Sequence, residues 1–289
     1  MGYDGANRTQ LREALAKNGL RPNKRLGQNF LCDPNAADAI VRAAGDLHAR
    51  DVLEIGPGAG ALTVRLCAQA RHVSALELDA GLFALLSREL ADCENLTLVH
   101  GDALKAPLHT MVQTPDAAVV ANLPYYATTA ILLRLLHECK CADTFVLMMQ
   151  KEVAARLCAP PGNKAYGSLS VAVQYYAQVQ TVMQVPPNCF FPAPEVDSTV
   201  VRLQRRAYPR RPQQEAWMFE VVRASFQMRR KTLFNNLCAM PQMDRQGVQQ
   251  ALVQSGIDPS ARGETLDIDA FIALSDAMLP YRKSSEMDK

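Results

Sequence analysis

The fold is decided by one stretch of sequence, Asp51-Val-Leu-Glu-Ile-Gly-Pro-Gly-Ala-Gly60. A short apolar run leads directly into a glycine loop (residues 56–60), and a helix-like segment follows at residues 62–69. Glycines at the end of a strand let the backbone approach a ligand closely. Further apolar runs alternate with helix-like segments downstream, at residues 72–77, 96–100, 117–121 and 144–149. Near-continuous apolar strands separated by helices predict a parallel sheet covered on both faces.

The C-terminal part of the sequence has a different pattern. Residues 178–185 and 199–204 are close enough in sequence to form an antiparallel edge, and Tyr208-Pro-Arg-Arg-Pro212 then interrupts the strands. The segments that follow are helix-like, at residues 215–228, 231–238, 244–255 and 268–277. We therefore predict an N-terminal extension (1–22), a doubly wound, mostly parallel α/β domain with an antiparallel edge strand (23–206), and a small C-terminal helical domain (207–289).

Composition narrows the class of protein. Apolar residues make up 48% of the 289 positions and charged residues 21%, as in ordinary globular proteins. No apolar run approaches the roughly 18 residues that a membrane span needs, and the N-terminus lacks the apolar region of a secretory signal. The eight cysteines lack the spacing of a zinc site. We expect a cytoplasmic protein with reduced thiols and no metal or membrane partner. Nothing in the sequence resembles a dimer seam, so we expect a monomer.

The net charge of +2 conceals an uneven distribution. Between residues 201 and 235, nine basic and two acidic residues give the stretch a charge of +7, which leaves −5 for the rest of the chain. A basic zone on a nearly neutral protein indicates a polyanionic partner. A solvated, arginine-rich linker explains the same charges equally well.

Acidic residues end the two apolar runs that follow the glycine loop. Glu77 lies 21 positions after Gly56, where a carboxylate can accept hydrogen bonds from both ribose hydroxyls. Asp102 is placed to accept from an adenine amino group, although alone it would be a simple turn residue. The glycine pattern loosely fits a nicotinamide-dinucleotide site as well, and the loop by itself does not separate the two. A third glycine, Gly60, together with Asp102 favours S-adenosylmethionine.

The candidate catalytic motif is Asn122-Leu123-Pro124-Tyr125, which directly follows the fourth apolar run. An adenine N6 amine is a poor nucleophile because its lone pair is delocalised into the ring. An Asn oxygen and the Leu123 carbonyl can accept hydrogen bonds from its two protons and aim that lone pair at a methyl group, while Pro124 stiffens the turn. Tyr125 offers the base a stacking face. In an arbitrary loop this would be an ordinary turn, but here it follows three strand ends that carry cofactor-type residues.

A proline-rich aromatic loop, Phe190-Phe-Pro-Ala-Pro-Glu-Val-Asp-Ser198, precedes the last apolar run. Alternating prolines hold such a loop extended and lower its conformational entropy. We expect Phe190 to present its ring outward and cover the other face of the target base. The alternative is a buried loop anchor, and we expect one of the two phenylalanines to have that role.

Six segments together resemble the ribosomal RNA small-subunit adenine dimethyltransferases. The resemblance runs from about residue 23 to residue 279. It rests on Lys24-Arg-Leu-Gly-Gln-Asn-Phe-Leu-Cys-Asp33, Glu54-Ile-Gly-Pro-Gly-Ala-Gly-Ala-Leu-Thr63, Asn122-Leu-Pro-Tyr-Tyr126, Gly162-Asn-Lys-Ala-Tyr-Gly-Ser-Leu-Ser170, the loop 190–198, and Arg229-Arg-Lys-Thr-Leu-Phe-Asn-Asn-Leu237.

The resemblance implies a Rossmann-like methyltransferase that uses S-adenosylmethionine and no metal. Its substrate would be two adjacent adenosines in the 3′-terminal hairpin loop of 16S rRNA, within an immature 30S subunit. The implied cofactor contacts are Gln28, Asn29, Leu31, Gly56, Gly58, Glu77, Asp102, Ala103 and Asn122. Tyr125 and Phe190 would sandwich the target base. The candidates for contact with the RNA backbone are Arg205, Arg206, Arg229, Arg230 and Lys231.

Three other functions remain open at this point. A macrolide-resistance methyltransferase that modifies an adenine of 23S rRNA would share the fold and the chemistry. An assembly factor that binds rRNA without catalysis would keep the basic zone. A dehydrogenase would keep only the glycine loop.

Overall fold

The structure is a computed structural model that describes residues 2–283, apart from the side chain of Lys24. The chain divides into two compact units. The first comprises the chain up to Ala154 together with Ala177–Arg206, and the second comprises Ala155–Tyr176 and the chain from Ala207 onward. Residues 284–289 of the predicted helical domain lie outside the described residues.

The strands and helices alternate through the first unit. The strands are β1 (Phe30–Leu31), β2 (Asp51–Ile55), β3 (His72–Glu77), β4 (Leu96–His100), β5 (Ala117–Asn122), β6 (Ala142–Gln150), β7 (Ala177–Val185), β8 (Phe190–Phe191) and β9 (Ser198–Arg205). The helices up to the unit boundary are α1 (Arg8–Lys17), α2 (Pro34–Ala43), α3 (Thr63–Cys67), α4 (Ala80–Glu89), α5 (Thr128–Glu138) and α6 (Lys151–Cys158).

One seven-stranded sheet organises the first unit, in the order β4-β3-β2-β5-β6-β9-β7. The strands from β4 to β6 are parallel, whereas β9 runs antiparallel to both β6 and β7. Ala117–Ala121 of β5 are fully buried, as expected for a central strand covered by helices on both faces. The predicted fold, including its antiparallel edge, is confirmed.

The parallel arrangement determines where a ligand can bind. Because β2, β3, β4 and β5 all run in one direction, the polar residues at their carboxyl ends meet at one edge of the sheet. The chain order reverses between β2 and β5, which lie side by side in the sheet. Ligands in such sheets bind outside the strand ends at this reversal.

The second unit is helical and has its own apolar core. Its helices are α7 (Ser168–Tyr176), α8 (Glu215–Ser225), α9 (Leu233–Leu237), α10 (Arg245–Gln254) and α11 (Ile268–Met278). Trp217 is buried, and its indole N–H donates to the Ser275 carbonyl at 3.0 Å, which satisfies the polar end of a core residue.

The division of the chain differs from the predicted one in two places. Residues 155–176 belong to the helical unit, because Tyr166, Val171 and Tyr175 are buried with Trp217 and its neighbours. The predicted extension contains α1, whose Leu11 and Leu15 are buried against Ala59 and Leu82 of the first unit. Neither segment has the continuous apolar run from which the strands were predicted.

Within residues 2–283, no helix is both long and apolar enough to cross a membrane. In the same part of the chain, no group of three or more His, Cys, Asp or Glu side chains could hold a metal ion.

Candidate active site

A cleft lies at the carboxyl edge of the sheet. It is lined by the glycine loop, by Glu77 at the end of β3, by Asp102 after β4 and by residues 122–126 at the end of β5 and just beyond it. The space between its lining residues, open solvent included, is about 1000 Å³. The strand ends singled out in the sequence therefore converge on one place.

The glycine loop adopts a conformation that favours glycine. Gly56, Gly58 and Gly60 have φ values of 67°, 60° and 83°, in the left-handed region that side chains disfavour. A Cβ added at Gly58 would also lie 3.2 Å from the Phe30 ring. The N–H groups of the three glycines donate to the Leu76 carbonyl, to Glu77 Oε2 and to the Pro57 carbonyl, so these bonds fix the loop, and the missing side chains let a ligand approach its backbone.

Glu77 is fixed by two backbone amides. Its Oε2 accepts from the Gly58 amide at 3.0 Å, and its Oε1 accepts from the Asp79 amide at 2.8 Å. Burial raises the pKa of this carboxyl above its ordinary value, although these hydrogen bonds oppose the shift. Each oxygen keeps a lone pair with which it can accept a further hydrogen bond from a ligand.

Glu54 also lines the cleft, and sequence reasoning missed it as a site residue. It is buried within β2, and its Oε2 has no hydrogen-bond partner. Burial and the nearby charge of Glu77 raise its pKa to about 8. An acidic residue in an otherwise apolar strand, directly before the glycine loop, was the available signal.

Asp102 belongs to a loop that α5 holds in place. Its Oδ1 accepts from the Leu104 amide at 2.8 Å. From α5, Arg134 donates to the carbonyls of Ala103 and Ala106, at 2.7 and 2.8 Å. Arg134 is oriented in turn by Glu138, at 2.6 Å. The loop after β4 thus has a fixed backbone beside the cleft.

The orientation of Asn122 follows from its hydrogen-bond partner. Its side-chain nitrogen donates to the backbone carbonyl of Asn29 at 3.3 Å. Because a carbonyl can only accept, the nitrogen must face Asn29 and Oδ1 must be turned elsewhere. The amide oxygen is therefore left to accept from another donor.

The residues after Asn122 form a tied-down turn. The Leu123 amide donates to the Met148 carbonyl at 3.0 Å, and the Pro124 carbonyl accepts from the Thr128 hydroxyl at 2.9 Å. Tyr125 is half-buried, and its hydroxyl lies 2.6 Å from Ser198 Oγ. Tyr126 is 57% exposed and lines the same cleft. The turn therefore carries one anchored and one exposed aromatic ring.

Phe190 does not present its ring outward, so this expectation is wrong. The side chain is 1% exposed and packs in the apolar core with Leu31 and Val185. The reason is the pairing of β8 with β1, in which Phe190 lies opposite Leu31 and Phe191 opposite Phe30. Phe191 packs against a neighbouring apolar cluster and lies under the Arg12 guanidinium. Both phenylalanines anchor the loop.

The N-terminal residues chosen through the resemblance all border the cleft. Gln28, Asn29 and Leu31 are among its lining residues. Gln28 donates to Asp79 at 3.3 Å and accepts from the Asn23 amide at 2.8 Å. The Asn29 side chain donates to the Gly27 carbonyl at 3.1 Å. These bonds hold residues 26–31, here called the N-terminal strap, beside the strand ends.

Arg205 is used by the first unit itself, which contradicts its assignment to RNA contact. Its guanidinium donates to the carbonyls of Leu136 and Cys139, both at 3.0 Å, at the C-terminal end of α5. It also donates to the Ala142 carbonyl at 2.7 Å and lies over the Phe145 ring. Carbonyls at a helix C-terminus lack partners within the helix, and Arg205 supplies them.

The remaining basic candidates have exposed side chains. Arg206 ends the first unit, and Arg229, Arg230 and Lys231 belong to a basic loop (residues 227–231) of the helical unit. Buried Asn236 holds that loop, because its side-chain nitrogen donates to the carbonyls of Ser225 and Met228, at 3.0 and 3.2 Å, and its oxygen accepts from the Met228 amide at 3.2 Å.

The sheet order and the cleft at its carboxyl edge are those of a Rossmann-like fold, which the chain shares with solved methyltransferases. A family model described as Ribosomal RNA adenine dimethylase matches residues 19–278. The chain therefore belongs to the ribosomal RNA adenine dimethylases, and the predicted family and enzyme class are confirmed.

Two bacterial relatives are similar over nearly their whole length. Both are named Ribosomal RNA small subunit methyltransferase A and are 46% identical to this chain. The protein from Geobacillus thermodenitrificans aligns over 97% of this chain and 99% of its own, and that from Bacillus cytotoxicus over 96% and 99%.

Two solved structures share the fold. A dimethyladenosine transferase from Plasmodium falciparum has a TM-score of 0.70 at 26% identity, covering 84% of this chain and 94% of its own. The 23S rRNA methyltransferase ErmE has a TM-score of 0.63 at 28% identity, covering 86% and 99%.

Proposed function

We propose that this enzyme transfers methyl groups from S-adenosylmethionine to N6 of two adjacent adenosines in the 3′-terminal hairpin loop of 16S rRNA, within an immature 30S subunit in the cytoplasm. The observation that carries the proposal is the oriented amide of Asn122, which leaves an acceptor at the end of β5 beside the cleft. The near full-length similarity to small-subunit methyltransferases supports this choice of ribosomal subunit.

The cleft fits S-adenosylmethionine in its residue chemistry. The buried oxygen of Glu54 without a partner and the doubly anchored carboxylate of Glu77 are acceptors that suit a ligand whose ammonium group and ribose hydroxyls donate hydrogen bonds. The glycine loop would lie against the methionine part, and Asp102 with Ala103 against the adenine. Gln28, Asn29 and Leu31 would cover the ligand from the N-terminal strap. When bound, the cofactor supplies a methyl group on a positively charged sulfur.

The chain's own contribution to the chemistry is to orient the target amine. Asn122 Oδ1 would accept a hydrogen bond from one N6–H, and the Leu123 carbonyl would accept one from the other, so that the nitrogen lone pair is aimed out of the ring plane. Because methyl transfer leaves the nitrogen positively charged, it can release a proton to water afterwards, and no carboxylate general base is required. The rate gain comes from positioning and electrostatic complementarity. Tyr125 provides one stacking face, held in place by its hydrogen bond to Ser198.

The RNA contacts are assigned to exposed basic residues. Arg229, Arg230 and Lys231 lie in a loop whose backbone Asn236 fixes, and Arg206 adds a further charge at the end of the first unit. Such side chains bind phosphates without reading sequence and attract a polyanion over a distance. We propose that the enzyme acts as a monomer.

The substrate is tested by incubating the purified enzyme and labelled S-adenosylmethionine with immature 30S particles or with 50S precursors. We expect dimethylated adenosines in the 16S hairpin and no label in 23S rRNA. Label in 23S rRNA alone would contradict the proposal and favour the activity named for ErmE. Specific binding of immature 30S without any methyl transfer would instead favour an assembly factor.

A further inference from the structure

The N-terminal segment (residues 2–17) precedes the part of the chain that the family model matches, yet it packs against the glycine loop. Its helix α1 buries Leu11 and Leu15 against Ala59, Phe30 and Leu82. Ala59 lies between the second and third glycines of the loop. The segment therefore packs against residues that also line the cleft.

Tyr3 makes a direct hydrogen bond to the glycine loop. Its hydroxyl donates to the Ala59 carbonyl at 2.8 Å, a normal length for such a bond. Burial raises the pKa of this hydroxyl, so it stays protonated and able to donate. The Tyr3 ring also lies close to Gly60, 3.7 Å from where a Cβ would be. The loop's left-handed turn is thus supported from outside.

Gly5 shows how closely the two backbones approach. A Cβ added at Gly5 would lie 1.9 Å from the Ala59 oxygen and 2.9 Å from the Ala61 nitrogen. The contacted atoms belong to backbone, so a side chain here would displace the segment, the glycine loop or both. A Cβ added at Gly2 would meet nothing within 4 Å.

An ion pair connects the same segment to the helix that follows the glycine loop. Arg65 of α3 donates to both carboxylate oxygens of Asp4, at 2.7 and 3.1 Å, and to the Ala61 carbonyl at 3.0 Å. Burial alone would raise the pKa of Asp4, but the hydrogen bonds from Arg65 and the Ala6 amide hold it below its ordinary value. The segment is therefore bonded to Ala59, before the third glycine, and is connected through Arg65 to Ala61, after it.

The other side of α1 reaches the aromatic loop. Arg8 donates to the backbone carbonyls of Asn188 and Phe190, and Arg12 lies 4.8 Å from the centre of the Phe191 ring. One helix therefore connects the glycine loop with the loop at residues 188–191.

We propose that the N-terminal segment is a positioning element that holds the glycine loop in its ligand-binding conformation, with Tyr3 and Gly5 as its principal contacts. This inference rests on the proposed use of S-adenosylmethionine. A loop whose backbone is already fixed pays no ordering cost at the moment of binding, so the segment lowers the Kd for the cofactor.

The test compares Gly5→Ala, Tyr3→Phe and the matched control Gly2→Ala in the full-length enzyme. Isothermal titration with S-adenosylmethionine gives Kd, methylation of 30S particles gives KM and kcat, and thermal unfolding gives Tm. We expect Gly5→Ala to raise the cofactor Kd about tenfold or more. Tyr3→Phe should raise it about threefold, the share of one hydrogen bond, and Gly2→Ala should leave it unchanged. KM for 30S particles should stay constant in all three variants.

A lowered Tm with an unchanged cofactor Kd in both Gly5→Ala and Tyr3→Phe would overturn the inference, since the segment would then serve stability alone. If Gly5→Ala does not fold, Tyr3→Phe decides. A wild-type enzyme that does not bind S-adenosylmethionine would refute the proposed function and this inference with it. Wild-type binding with equal affinity in the variants would refute the inference only.

Discussion

The cleft and the basic loop are built in different ways. In the cleft, the side chains of Glu77 and Asn122 are each held by backbone groups, so their functional atoms have one orientation. In the basic loop, Asn236 fixes the backbone. The exposed Arg229 side chain also donates to the Lys164 carbonyl, whereas those of Arg230 and Lys231 are exposed to water. The comparison teaches that the cleft, where the reaction takes place, needs functional atoms in fixed positions. The basic loop needs only positive charge at the surface, because a polyanion is attracted without a precise geometry. Single substitutions in the cleft should therefore change kcat or the cofactor Kd strongly. Substitutions in the basic loop should change the affinity for 30S particles in small steps, and the effect should depend on salt.

The largest effect is expected for Asn122→Ala. The substitution removes the acceptor that orients the target amine, so kcat for methylation of 30S particles should fall by about 10²–10³. Affinity for the particles should stay within about twofold, because Asn122 lies in the cleft and not in the basic loop. Single-turnover methylation and filter binding measure the two quantities. An equal loss of affinity for 30S particles would show that Asn122 serves RNA binding and not only the orientation of the amine. The cleft and the basic loop would then no longer have separate roles.

Glu77→Gln should have the next largest effect. Both carboxylate oxygens accept from backbone N–H groups, so the amide nitrogen of Gln must face a donor whichever way it turns. We expect the Kd for S-adenosylmethionine, measured by titration calorimetry, to rise roughly tenfold to a hundredfold. Exposed Glu94→Gln is the matched control and should leave the Kd unchanged. A wild-type Kd in Glu77→Gln would mean that the carboxylate serves the loop and not the ligand.

Replacing Arg229, Arg230 and Lys231 with Gln should reduce the salt dependence of binding to 30S particles by a similar amount at each position. If each contacts a phosphate, the slope of log affinity for 30S particles against log salt should become shallower by about 2 units. Arg205→Gln provides the comparison, since Arg205 binds carbonyls of its own unit. It should lower Tm and leave the slope unchanged. A shallower salt slope in Arg205→Gln, with an unchanged slope in the basic-loop variants, would instead assign RNA contact to Arg205 and a structural role to the basic loop.

Glu54 gives a separate test, through the pH dependence of the free energy of unfolding. Burial raises its pKa from 4.5 to about 8, so the folded protein keeps a proton that the unfolded chain releases. The free energy of unfolding should therefore fall as pH rises from about 4.5 to about 8. Glu54→Gln should flatten this part of the curve in denaturant titrations. Parallel curves for the two proteins would show that Glu54 is ionised at neutral pH.

The sheet and the cleft could be predicted because their signals are local. Each strand is a short apolar run, and the parallel order brings the residues at the strand ends together, so Gly56, Glu77, Asp102 and Asn122 meet as expected. Helix α1 was not predicted because its short segment mixes charged and apolar residues. Its stability depends on burial against the sheet domain, which a single segment does not reveal.

Long-range contacts account for the predictions that were wrong or incomplete. Phe190 is buried because β8 pairs with β1, some 160 residues away in sequence. Arg205 lies in the basic zone of the sequence but binds the end of α5. The bond from Asn122 to Asn29 also joins distant segments, and it turns a motif into an oriented acceptor. Nothing local marks any of these partners.

The central claim is that this cleft dimethylates adenosines of 16S rRNA, and mass spectrometry of 16S rRNA from cells that lack the protein tests it most directly. The account predicts two adjacent unmethylated adenosines in the 3′-terminal hairpin, with both restored to dimethyladenosine by the wild-type gene and neither restored by Asn122→Ala. Dimethyladenosine at both positions in cells without the protein would contradict the account.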